Sequence, residues 1–114
     1  MYPPEEIEVE MQRLIDDFNQ KFWSVKTKRN EEKLACILTD FIVCFLAIHP
    51  LKDSNGRVVR LLAMYILESY GLCNVNLDFA KDYDWWCDLI HNQKTYCLQK
   101  HLLKLIKTFK TYNF

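Results

Sequence analysis

Glycine is almost missing from this chain, with Gly56 and Gly71 the two examples in 114 residues. Proline stands at Pro3, Pro4 and Pro50. With so few breakers the chain reads as ordinary helical sequence. No segment alternates with the period of a strand, and there is no repeat or linker. Formal net charge is zero, so no global field recruits nucleic acid or a membrane surface. The five cysteines show no CxxC spacing, which removes the usual redox and zinc motifs. No basic n-region with an apolar h-region opens the chain. An odd set of cysteines without such a signal favours reduced thiols and a cytoplasmic setting, with delivery into a host cell as a variant of that expectation. The longest apolar run, Leu34 to Ile48, is interrupted by Thr39 and Asp40 and is too short to span a bilayer.

What is present is a globular composition, half hydrophobic and a quarter charged. A chain of this length buries roughly 65% of its unfolded surface, enough for one core. One domain covering residues 1–114 is expected. Charge is segregated along it. Glu5, Glu6, Glu8, Glu10, Asp16 and Asp17 make the first segment acidic, and Lys100, Lys104, Lys107 and Lys110 make the last one basic. Solvated helix faces account for both.

Periodicity predicts an all-α fold of about five helices. Ile7, Met11, Leu14, Ile15, Phe18 and Phe22 form one apolar face after Pro3-Pro4, with a loop expected from Ser24 to Asn30. Asn30 followed by Glu31-Glu32 starts a second helix, apolar nearly all round and therefore central. Pro50 ends it and is expected to push His49 into an extended conformation. After a loop from His49 to Ser54, a third helix runs from Asn55 to about Tyr70, stopped by Gly71. Weaker patterns follow at Leu77 to His91 and Thr95 to Tyr112.

The chemistry concentrates between the second and third helices, in "HPLKDSNGRVVR". A helix N-terminus offers unpaired N–H groups and a partial positive charge, which suits an anion. Asn55 and Gly56 permit turns that aim several N–H groups at one point. Arg57 and Arg60, at i and i+3, share a face and are suited to bidentate phosphate contacts. Asp53 is a candidate carboxylate for Mg²⁺. His49 has the pKa range of a general base at neutral pH.

The same stretch resembles the signature of the Fic (filamentation-induced-by-cAMP) family, H-x-F-x-[D/E]-G-N-G-R-x-x-R. The resemblance extends through "YPPEEIEVEMQRLIDDFN", "FLAIHP", "RLLAMYILESYGL" and "YDWWCDLI". It implies a compact Fic-like fold and transfer of AMP from ATP to a Ser, Thr or Tyr hydroxyl of a target protein. By that resemblance His49 is the base, Asp53 holds Mg²⁺, and Ser54, Asn55 and Gly56 form the anion hole. Arg57 would bind the β- or γ-phosphate and Arg60 would orient the triphosphate.

Several features depart from the family pattern. Leu51 replaces the Phe that anchors the loop, and leucine is expected to keep that anchor with some repacking. Ser54 replaces a Gly, which is unfavourable if the position needs a positive φ. Ile42 stands where many members have a histidine. Members also carry a β-hairpin flap that pairs with the target. This chain begins where that flap should have ended, so a truncated core is expected. The family's inhibitory motif, [S/T]-x-x-x-E-[G/N], is not found, so such a brake would come from a separate chain. The alternatives are a different donor, with kinase-type or other phosphate-linked transfer, and a non-catalytic interaction module. No nucleic-acid or membrane partner is expected.

Two other patterns suggest chemistry outside the motif. Cys87 with His91, and Cys97 with His101, are i, i+4 pairs that could hold Zn²⁺, although helical cysteines more often pack in cores. Trp85-Trp86 with Tyr83 could stack a base, but packing of a late helix is the simpler role.

Overall fold

The computed structural model describes residues 3–72, 77 and 95–112. Helix α1 runs Pro4–Lys28, α2 Glu31–Ile48, α3 Asn55–Tyr70 and α4 Thr95–Tyr112. Among the described residues there is no strand, and the architecture is all-α as expected. The fifth helical pattern falls outside the described residues except for Leu77, which is buried. Cys87, His91, Tyr83, Trp85 and Trp86 also lie outside them. Among the described residues no helix is long and apolar enough to cross a membrane. Nor does any cluster of three or more His, Cys, Asp or Glu there offer a metal site.

Helix α1 starts with proline at its first position, acids in its first turn and lysines in its last, as the helix dipole favours. It is longer than expected. Ser24 to Lys28 continue the helix, because Val25 extends the buried face begun by Phe18 and Phe22. Burying that valine outweighs the weak helix propensity of the polar residues around it. Arg29 then ends the helix in the left-handed region at φ 55°. Ile15, expected on the apolar face, is 40% exposed at its edge.

Helix α2 is the common partner, touching α1, α3 and α4. Asn30 caps it by accepting from the Lys33 N–H at 3.1 Å. Leu34, Ala35, Leu38, Thr39, Phe41, Ile42, Phe45 and Ile48 are all buried. The Thr39 hydroxyl donates to the Ala35 carbonyl at 2.7 Å, so its burial leaves no polar group unmatched. Aromatic contacts join α1 to α2, with Phe18 and Phe41 centroids 5.0 Å apart. Each fully buried Leu or Ile on this helix contributes roughly 1.5–3 kcal/mol of transfer free energy. Ile42 is wholly core, at 1% exposure, so the position held by histidine in many family members serves packing here.

Helix α4 buries Leu98, Leu102 and Ile106 and turns Lys100, Lys104 and Lys107 outward. Lys100 Nζ lies 4.7 Å from the Tyr96 ring centroid. The arrangement is a buried central helix followed by a short loop and the N-terminus of α3.

Candidate active site

The loop between α2 and α3 is framed by two residues with positive φ. At its entrance His49 has φ 55° and ψ 60°, and its N–H still donates to the Phe45 carbonyl at 3.0 Å. The expected extended conformation is therefore corrected to left-handed. Pro50 excludes right-handed helix at His49, but the helix end is completed by a left-handed residue. Histidine is among the side chains enriched in that region. The turn leaves the imidazole exposed at the end of a buried helix.

At the exit Ser54 has φ 64° and ψ 21°. A left-handed position is the place where glycine costs nothing and serine costs about 1–2 kcal/mol. The Ser54 hydroxyl caps nothing on α3. It donates instead to Asp53 Oδ1 at 3.0 Å. The first backbone bond of α3 runs from the Val58 N–H to the Ser54 carbonyl at 3.0 Å. The N–H groups of Asn55, Gly56 and Arg57 thus stand at the helix start, where the dipole favours an anion. Arg57 is exposed and Arg60 half-buried, three residues apart along α3. Asp53, in the loop just before α3, is exposed.

Asn55 is the buried member of the motif, at 4% exposure. Its Oδ1 accepts from the Leu51 N–H at 3.0 Å, and its Nδ2 donates to the Leu51 carbonyl at 2.9 Å. The amide therefore pairs with both backbone groups of one loop residue. Nδ2 also lies 3.2 Å from each nitrogen of the His49 ring. A nitrogen equidistant from both sits over the ring, off either in-plane lone pair. That contact leaves the in-plane directions of the imidazole unused by Asn55.

Leu51 does not anchor the loop as expected, for the residue is 40% exposed. The contact the loop does make there is between the Asn55 amide and the Leu51 backbone. The sequence pattern puts Asn55 in the anion hole. Its side chain is committed elsewhere, and its backbone N–H is the group at the helix start. The sequence does carry one signal of this. Ser54 and Asn55 are both capping residues in tandem, so one is spare for another task.

The described cysteines offer no second site. Cys36, Cys44 and Cys97 are free thiols. Burial first, and then Asp40, pushes the Cys44 thiol up, away from a reactive thiolate. Cys97 and His101 sit one turn apart on α4.

The site thus joins a buried helix, a braced loop carrying an exposed imidazole, and a helix N-terminus followed by two arginines. Comparison with known proteins gives the family. The Fic/DOC family model matches residues 1–67, which include this whole motif. A Fido domain-containing protein of Dictyostelium discoideum is 40% identical over 68 residues, covering 60% of this chain and 44% of that protein. A ribonucleoside-diphosphate reductase small chain of Ostreid herpesvirus 1 (isolate France) is 35% identical over 74 residues, covering 59% of this chain and 13% of that protein. The chain spans less than half the length of each of these relatives. No solved structure matches. The chain belongs to the Fic/DOC family, an enzyme family whose members commonly transfer phosphate-linked groups.

Proposed function

We propose that this chain transfers AMP from ATP to a Ser, Thr or Tyr hydroxyl of a target protein. The observation that carries the reading is the pairing of an exposed imidazole with an open helix N-terminus across one short, braced loop. His49 takes the proton from the attacking hydroxyl. The hydroxyl oxygen forms a bond to the α-phosphorus, the bond to the bridging oxygen breaks, and pyrophosphate leaves. The N–H groups of Asn55, Gly56 and Arg57 face the phosphate oxygens, and Arg57 and Arg60 hold the outer phosphates. Such a reaction depends on positioning and electrostatics.

Asp53 suits Mg²⁺, which prefers one or two carboxylates with phosphate oxygens and keeps several waters. An exposed carboxylate with one oxygen steadied by Ser54 fits that donor set. Bound there with the nucleotide, the ion would offset the charge of the leaving pyrophosphate. The same reading takes a protein as acceptor, a cytoplasmic setting, and a separate chain as the source of any inhibitory helix.

The second reading is a different phosphate-linked donor. Ser54 favours it, because a left-handed serine puts a hydroxymethyl group where glycine would leave the backbone bare. The test is label transfer in the presence of Mg²⁺, with ATP labelled at the α- or the γ-phosphate and a cell lysate as acceptor. Label from the α-position that disappears in His49→Ala supports AMP transfer. Label from the γ-position alone supports kinase-type transfer. Binding of nucleotide without transfer supports an interaction module.

A further inference from the structure

We propose that Asn55 is the positioning residue of this site, holding the loop in place and setting the His49 ring above it. The usual route for a loop of this kind is an apolar side chain pushed into the core. Here Leu51, the residue in that role by sequence, is 40% exposed and cannot supply it. The loop residues from Pro50 to Asp53 belong to no helix, so no helical ladder of hydrogen bonds holds them in one conformation. Asn55 pairs with Leu51. Its amide matches that residue's backbone groups, donor to acceptor and acceptor to donor, at 2.9 and 3.0 Å. Only Asn or Gln carries a donor and an acceptor in that arrangement, and Gln is one methylene too long for this spacing.

The same Nδ2 sits over the His49 ring. The ring is otherwise exposed, and the bond from the His49 backbone N–H to the Phe45 carbonyl holds the residue but not the rotation of its ring. Asn55 is 4% exposed and is the first residue of α3, whose following turns pack on α2 through Val59 and Ala63. One buried amide on the core-packed helix therefore touches both the Leu51 backbone and the imidazole. A buried amide loses its value when half matched, so removal acts on both at once. The consequence for catalysis rests on reading His49 as the base. The positioning itself does not.

The test is amide hydrogen exchange by NMR on the whole chain, with the His49 ring signals recorded alongside. The wild-type Leu51 amide is expected to be protected. Asn55→Ala should speed its exchange about tenfold or more while the amides of Leu38 and Leu67 keep their rates. The His49 ring signals should move in the same variant. Asn55→Asp keeps an acceptor for the Leu51 N–H but no donor, so it should restore much of the Leu51 protection and leave the His49 signals displaced. Leu51→Ala should change neither. A Leu51 amide unprotected in the wild type, or equally protected in Asn55→Ala, overturns the proposal. So does a Leu51→Ala variant that loosens the loop as much as Asn55→Ala. Should Asn55→Ala fail to fold, the Asn55→Asp and Leu51→Ala results decide the matter.

Where label transfer is present, Asn55→Ala should lower turnover about 100-fold at unchanged nucleotide affinity. Lost affinity at unchanged turnover would return Asn55 to the anion cradle and overturn positioning. The exchange measurements need no nucleotide, so they stand if AMP transfer is disproved.

Discussion

The two ends of α3 are built to opposite plans. At the C-terminal end every device closes the helix. Gly71 takes φ 112°, its N–H reaches the Glu68 and Leu67 carbonyls, and the Leu72 N–H donates to the Leu67 carbonyl at 2.9 Å. Those bonds form a Schellman motif. Arg29, from the end of α1, donates to the Tyr70 carbonyl at 2.6 Å and lies 4.0 Å from the Tyr70 ring centroid. At the N-terminal end a residue that could cap does not. Ser54 turns its hydroxyl to Asp53 and leaves the first N–H groups of α3 without a side-chain cap. The bonds that close the helix are concentrated at the end away from the motif, and the end that carries it has no side-chain cap from Ser54. The one buried polar contact at the open end, Asn55 on Leu51, holds the loop and does not close the helix.

This contrast can be broken from either side. The largest effect is expected from His49→Ala, which should lower label transfer by about 10²–10⁴-fold with little change in Tm, since the side chain is exposed. Arg29→Ala should do the reverse. Losing a charge-assisted hydrogen bond and a cation–π contact should cost about 2 kcal/mol, read as a Tm lowered by several degrees, with transfer by the folded protein retained. Gly71→Ala is expected to cost about 1–2 kcal/mol in denaturant unfolding. The cost is backbone strain alone, for a Cβ there would come no nearer than 3.9 Å to Arg29 Nη1.

Ser54→Gly sharpens the comparison in the other direction. Relief of left-handed strain, less the added freedom of glycine in the unfolded chain, should leave a gain of about 0.5–1 kcal/mol. A Ser54→Gly variant no more stable than the wild type would show that the hydroxyl bond to Asp53 offsets the strain. Leu51→Ala should have the smallest effect, within about 0.5 kcal/mol by thermal unfolding, because the side chain is not part of the core.

Much of the frame is legible in the order of residues alone. The cap at Asn30, the start of α3 at Asn55, its stop at Gly71 and the span Thr95 to Tyr112 all follow from local signals, and the fold has them there. A cap or a breaker acts within one turn, so its evidence lies within a few residues. The end of α1 is not legible in this way, because the burial of Val25 against the rest of the fold extends the helix through a polar stretch. The His49 conformation escapes too, because the rule for residues before proline does not include the competing demand of a helix end.

The motif's residue types, their order and the all-α class are thus determined by sequence alone, since they depend on composition and on spacing along one chain. Tertiary structure decides which of those residues hold and which remain available. Arg29 meets Tyr70 across 41 positions, and no local pattern announces that contact. Leu51 and Asn55 exchange the roles their types suggest, because burial is a property of the packed molecule. The leucine stays 40% exposed, and the amide at the start of α3 is buried against the Leu51 backbone.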